Sequence, residues 1–197
     1  MKKIVMVLVI VLMTAAMAAC GNSGDNAESG TEGGLKIAIV TSLTGVDDGN
    51  FNEDNYNGIL SFIEKNPTAT VKAIKEETGD PAAGVQAVAD IVADYDVIVT
   101  PGFQFAGISS VALENPDKLF ILIDSEPTPI GDQTEFDNVY SMMFAEQEGG
   151  FFAGMAAALE TKSNKVAVVN GIAYPSNVNY QFGFESGVNY VNKVFGK

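Results

Sequence analysis

The residues able to do chemistry gather just after a short apolar stretch. In Val40-Thr-Ser-Leu-Thr-Gly-Val-Asp-Asp-Gly-Asn-Phe-Asn52 an aromatic, Phe51, stands beside an amide, Asn52, with Asp47 and Asp48 shortly before them. An aromatic face stacks on a flat ring, and an amide both donates and accepts hydrogen bonds. The same spacing also suits a helix start, with Asp48 or Asn50 as cap and Phe51 turned into the core as a staple. Asp124 closes the apolar run Leu119-Phe-Ile-Leu-Ile123. It can accept hydrogen bonds from two hydroxyls, or serve only as a turn or cap. Gly102, after Pro101, lets backbone approach a ligand closely, or simply makes a turn.

Other chemistries lack their residues. The chain has no His and no Arg, and its eleven cations are all Lys. The commonest general base and a main zinc ligand are therefore missing, as is the bidentate clamp for carboxylates and phosphates. No G-x-G-x-x-G follows the first strand, and no P-loop occurs. Adjacent acids such as Asp47-Asp48 rarely face one substrate bond. Neither a catalytic centre, a metal site nor a cofactor is expected. A formal net charge of −14 opposes nucleic-acid binding, which needs a basic face. It favours a neutral or cationic ligand.

The elements that must position these residues alternate. Apolar strand patterns are expected at 35–41, 70–76, 95–100, 119–123, 138–144 and 165–169. Between them Tyr56, Ile59, Leu60 and Ile63 recur at helical spacing, and so do Val85, Val88, Ala89 and Val92. Asn66-Pro67 stops the first of these helices, and Asp80-Pro81 starts the second. A weaker helix spans about 105–114. Phe152, Met155, Ala156 and Leu159 give another helical face, with Gly149, Gly150 and Gly154 allowing close approach. A last helix covers about 178–194. Alternating strands and helices imply an α/β fold with a mainly parallel sheet flanked by helices. Right-handed crossovers bring all strand carboxyl ends to one edge. On that edge would lie 42–52, Gly102-Phe103, Asp124-Ser125 and 170–174, a convergence that points to a ligand site.

The amino end is set apart. Lys2 and Lys3, the apolar Ile4–Met13 and the small residues before Cys20 form a secretory signal over 1–20. Met17-Ala-Ala-Cys20 resembles a bacterial lipobox, which makes Cys20 a lipidation site; ordinary cleavage with an accidental cysteine is the alternative. Residues 21–34, rich in Gly, Ser, Asn and acids, read as a flexible tether.

With these pieces in order, the chain resembles the basic membrane protein family, whose members are substrate-binding lipoproteins of ABC importers. The resemblance rests on the 40–52 stretch, Thr100-Pro-Gly-Phe-Gln-Phe105, Phe120-Ile-Leu-Ile-Asp124, Glu146-Gln-Glu-Gly-Gly-Phe-Phe-Ala-Gly-Met-Ala-Ala-Ala158, and 171–187 with Pro175 and Gly183-Phe184. It implies a type I periplasmic-binding-protein fold whose two lobes close on a purine nucleoside or related ligand and deliver it to an ABC permease. By the same resemblance Phe51 stacks on the base and Asn52 hydrogen-bonds the ligand. Asp124 holds ribose hydroxyls, and Tyr180 supplies the covering aromatic of the second lobe. Asp48 and Gly102 complete the candidate contacts. Ser42 stands where the family carries an Asp, so a hydroxyl replaces the carboxylate that reads base N–H groups. Relatives continue past Lys197. The expected organisation is thus a first lobe over 35–162 and the start of a second over 163–197, in a fragment of a longer protein held at the extracytoplasmic face of a cell membrane by its lipid. A sugar or other small polar solute, and a surface lipoprotein with no ligand, are the alternatives.

Overall fold

The structure is a computed structural model that describes residues 33–196. The signal, Cys20 and most of the tether lie outside the described residues. The chain runs β1 (Lys36–Ser42), α1 (Phe51–Lys65), β2 (Thr70–Glu76), α2 (Pro81–Ile91), β3 (Val97–Pro101), a 3-10 segment Phe103–Ile108, α3 (Ser109–Glu114), β4 (Leu119–Ile123), β5 (Val139–Met142), α4 (Glu146–Glu160) and α5 (Pro175–Phe195). The strands form one five-stranded sheet in the order β2-β1-β3-β4-β5, and every pair is parallel. This is the α/β architecture that the alternating pattern implies.

Alternation along the strands divides the core between two faces. Val40, Ile98, Phe120 and Leu122 point to one face, where they meet Val88 and Val92 of the α2 region and Phe105, Ile108, Val111 and Ala112. Ile37, Ile39, Val97, Val99 and Ile123 point to the other, where Ile59 of α1 is buried and Tyr56 and Ile63 pack alongside. The helix starts follow local chemistry. Asp80 caps α2 by accepting from the backbone N–H groups of Ala82 and Ala83 at 2.7 and 3.1 Å, and Pro81 occupies the first turn, where its missing N–H costs nothing. The second face is only partly covered. Beside α1 lies an apolar groove of about 530 Å³, lined by Ile37, Phe62, Val97, Val99, Leu119 and Ile121 among others.

The helices α4 and α5 pack against one another and touch the sheet only sparsely. Their buried positions are Gly150, Gly154 and Ala158 on α4, and Ser176, Gly183, Gly187 and Val191 on α5. The aromatic-aliphatic face expected for α4 is therefore not the packed one, since Phe152 is 67% exposed. Small residues let the two backbones approach, and that approach selects the glycine face over the bulkier one. Among the described residues, no helix is long and apolar enough to cross a membrane.

One expected strand is absent. Residues 165–170 join no sheet. Val166, Val168 and Asn170 are half-buried while Ala167 and Val169 face solvent. The period of two is present, but among the described residues no strand pairs with this segment. Expected strand 138–144 shrinks to Val139–Met142, and the last helix starts earlier, at Pro175.

Candidate ligand-binding site

The order β2-β1-β3 places a topological switch point at β1, where the chain departs to one side for β2 and to the other for β3. In open α/β sheets a crevice opens there, outside the strand carboxyl ends. Two loops border it: 43–50 after β1, and Gly102-Phe103 after β3.

The first loop is held by its own polar side chains. Asp48 accepts from the backbone N–H groups of Asn50, Asn52 and Glu53 at 3.0, 3.3 and 3.1 Å, and from the Thr44 hydroxyl at 3.5 Å. Burial raises its pKa, but these bonds outweigh that and leave it below the ordinary carboxylate value. Asp48, then, is the side chain that caps α1; Asn50 makes no side-chain cap. Asn52 is buried and donates its amide nitrogen to the carbonyl oxygen and hydroxyl of Thr44 at 3.2 and 2.9 Å. Phe51 is 38% exposed, so the first residue of α1 does not enter the core. Ser42 ends β1, half-buried. Its register partner Glu76 is buried and accepts from the backbone and hydroxyl of Thr78, both at 2.6 Å, and from the N–H of Gly79 at 2.7 Å. The Thr78 hydroxyl foremost, against burial and with help from backbone N–H groups, holds the Glu76 pKa low. Glu76 thus stabilises a turn and is not a free acid.

On the other side of the switch point, Gly102 has φ 103° and ψ 156°, a conformation that a side chain would strain. Its N–H donates to the carbonyl oxygen of Ile123 at 2.8 Å. That bond sets the loop after β3 against the turn after β4. Asp124, at φ 59°, makes that turn, and its N–H donates to the Met142 carbonyl oxygen at 2.9 Å. Its half-buried carboxyl has Glu146, the first residue of α4, as an acidic neighbour. Burial first, then the charge of Glu146 and a hydrogen bond with it, raises the Asp124 pKa. The Oε1 atom of Glu146 is buried without a donor, while its Oε2 accepts from the Asn179 amide at 3.3 Å.

Phe103, next to Gly102, is 40% exposed and packs on Tyr174, with ring centroids 4.8 Å apart. The Tyr174 hydroxyl lies 2.6 Å from that of the fully buried Ser125. Tyr174 thus reaches the carboxyl edge although the strand expected to carry it there does not form. Tyr180 goes elsewhere: it sits on α5 against α4, where a methyl group added to Gly149 would lie 3.0 Å from its hydroxyl. The structure brings the 42–52 loop, Gly102 and Asp124 to one edge and puts Tyr180 in the helix pair. The Ser125–Tyr174 and Asp124–Glu146 pairings join residues distant in sequence, and no local signal reports them. Among the described residues, no group of three His, Cys, Asp or Glu side chains could hold a metal ion.

A parallel sheet with polar and aromatic groups at its switch point has the lobe architecture of a type I periplasmic-binding-protein fold. The sequence profile of the family described as "Bmp: ABC transporter substrate-binding protein PnrA-like" matches residues 36–196, and the chain belongs to that family. An ABC transporter nucleoside-binding protein BmpA of Lactococcus lactis subsp. cremoris is 31% identical over 96% of this chain and 54% of its own length. A CD4+ T-cell-stimulating antigen of Listeria innocua is 30% identical over 98% of this chain and 55% of its own. The chain thus spans about half the length of these relatives. In fold it is similar to an ABC transporter solute-binding protein of Aeropyrum pernix K1, with TM-score 0.68 and 23% identity over 83% of this chain and 45% of that one.

Proposed function

We propose that this chain belongs to a lipid-anchored receptor that captures a purine nucleoside and presents it to an ABC permease. The observation that carries the reading is the edge itself: exposed Phe51 and half-buried Asp124 stand at the carboxyl ends of one parallel sheet, in a chain without Arg or His. Phe51 offers a face for a flat base, Asp124 an acceptor for sugar hydroxyls, and Asn52 and Ser42 polar groups at the base edge. Asp48 contributes by fixing the loop, and Gly102 by leaving backbone accessible. Tyr180 has a ring 43% exposed and is the candidate cover from the helix pair. The relative named as a nucleoside-binding protein supports the ligand class. The mechanism is binding and closure of two lobes, with no bond made or broken. Cys20 would carry the lipid that keeps the receptor at the extracytoplasmic face of the membrane.

Thermal unfolding with and without purine nucleosides, free bases and ribose tests the ligand class, because a ligand bound only by the folded state raises the midpoint. A rise with nucleosides and none with ribose is expected. A rise with ribose alone would replace the nucleoside by a sugar. Release of free base from a bound nucleoside would overturn the non-catalytic reading. For the anchor, radiolabelled fatty acid should enter the protein in cells and fail to enter Cys20→Ala.

A further inference from the structure

We propose that Asn170 is a site of spontaneous modification. The backbone nitrogen of Gly171 attacks its side-chain amide, ammonia is released, and an aspartate or isoaspartate is left in the segment that leads into α5. The proposal is independent of what the protein binds.

Among the described residues three pairs have an Asn or Asp followed by Gly: Asp48-Gly49, Asn57-Gly58 and Asn170-Gly171. Glycine favours the reaction because no side chain hinders ring closure. Closure also needs a glycine nitrogen that is free to lose its proton and approach Cγ. The fold leaves that freedom to one pair. Gly58 lies inside α1, where its N–H is engaged in the helix ladder, although Asn57 and Gly58 are both exposed. The Gly49 N–H donates to the Glu53 carboxylate at 2.8 Å. Asp48 accepts from three backbone N–H groups, and an ionised carboxylate carries no good leaving group.

Asn170-Gly171 differs on each count. Gly171 is exposed, lies outside every helix and strand, and has nothing within 4 Å of an added methyl. Among the described residues its N–H makes no hydrogen bond. Asn170 presents a neutral amide. Its side chain is tied by one bond, from Nδ2 to the Asn177 carbonyl oxygen at 3.1 Å, and a single bond of this kind has a modest net worth.

The step balances with water as co-reactant. The Gly171 nitrogen gives its proton to solvent base and bonds to Asn170 Cγ. The Cγ–Nδ2 bond breaks, Nδ2 leaves as ammonia, and a succinimide ring remains. Water then opens the ring at either carbonyl. Cleavage of the new bond gives aspartate; cleavage of the original peptide bond gives isoaspartate, with the main chain running through Cγ. Neither product keeps Nδ2, so the Asn177 carbonyl loses its donor. The Asn177 amide donates to the Ile172 carbonyl oxygen at 2.9 Å, and together the two bonds clasp residues 170–177. Modification opens one side of that clasp.

The test is incubation of the full chain at mildly alkaline pH, folded and in urea, followed by proteolysis and mass spectrometry of the peptides. In the folded chain Asn170 should convert first, to a mixture of aspartate and isoaspartate, while Asn57 keeps its amide and Asp48 its normal linkage. In urea Asn57 and Asn170 should convert at comparable rates, because local sequence alone then governs both. Gly171→Ala, for which the structure has room, should lose most of the product over the same interval. Conversion of Asn57 as fast as Asn170 in the folded chain would overturn the proposal. So would an Asn170 that keeps its amide when folded, or product undiminished in Gly171→Ala.

Discussion

The Asn52 amide nitrogen donates to both oxygens that Thr44 presents, its carbonyl at 3.2 Å and its hydroxyl at 2.9 Å. The bond spans the loop between β1 and α1, so the residue expected to touch ligand also sets the shape of the loop that carries Phe51. Thr44 is exposed, so its oxygens can turn to water, and Asn52→Ala should cost about 1 kcal/mol, the usual net contribution of a hydrogen bond. Asn52→Asp should cost more, because it turns a carboxylate oxygen toward the Thr44 carbonyl. Urea midpoints of the two variants decide the matter. An Asp variant as stable as wild type would show that the amide does not hold the loop.

Phe51 and Phe105 separate a ligand role from a packing role. Phe105 is fully buried in the core under β3, whereas Phe51 is 38% exposed. Phe105→Ala should lose about 3–5 kcal/mol. Phe51→Ala should lose little stability but most of the midpoint rise that a nucleoside produces. A large stability loss in Phe51→Ala, measured by thermal melts without ligand, would return it to the role of staple.

These two phenylalanines also show what a sequence can reveal. Phe51 opens α1 and Phe105 lies in the 3-10 segment after β3, and local pattern cannot say which one points inward. Tertiary packing decides, because Gly84 of α2 leaves room for the Phe105 ring, and a methyl there would lie 3.0 Å from it. The strands β1, β3 and β4 were legible because apolar runs bounded by turn residues need nothing beyond their own composition, and β2 because its side chains alternate. Asp80 as a cap was legible for the same reason. The 165–169 strand does not form because a strand is a relation between segments, and among the described residues none pairs with it. Tyr174 reaches the carboxyl edge through contacts with Ser125 and Phe103, pairings between distant segments that no local pattern announces. The ligand loop falls between these cases. Its residues were recognisable, but the division of labour among Asp48 as cap, Asn52 as clamp and Phe51 as exposed face required coordinates.

The helix pair should be the part most sensitive to small additions. A methyl on Gly150 would overlap the Tyr180 carbonyl, and one on Gly154 the Phe184 carbonyl. In return, Gly183 faces the Gln147 carbonyl and Gly187 that of Phe151. Backbone cannot rotate away as a side chain can, so Ala at any of the four must part the helices. Overpacking of this kind costs about 1–3 kcal/mol or more, against the gain in helix propensity that Gly→Ala brings at an open position. Gly58 of α1 has nothing within 4 Å of an added methyl, and Gly58→Ala should be neutral or stabilising. Thermal midpoints of Gly187→Ala and Gly58→Ala should therefore move apart. Equal shifts would mean that α4 and α5 do not pack in this way.

The Asp124–Glu146 pair gives the stability a pH dependence of definite sign. Asp124 has its pKa raised in the folded state, by burial first and by Glu146 next. A carboxyl of this kind holds its proton more tightly when folded. Its contribution is full below its ordinary pKa of 3.8 and is lost as pH rises through the elevated value. Asp48 and Glu76 act in the opposite sense: their lowered pKa values give stability above the ordinary 3.8 and 4.5, lost as pH falls through the folded values. Glu146→Gln isolates the first effect. It removes the like charge and places an N–H donor where Oε1 has none, leaving Asp48 and Glu76 untouched. The variant should gain on wild type as pH is raised from about 4 to 7, the gap being small at the acid end, where Asp124 is protonated in both. Urea midpoints at each pH measure that gap. A constant difference across the range would mean that Glu146 does not set the Asp124 proton affinity.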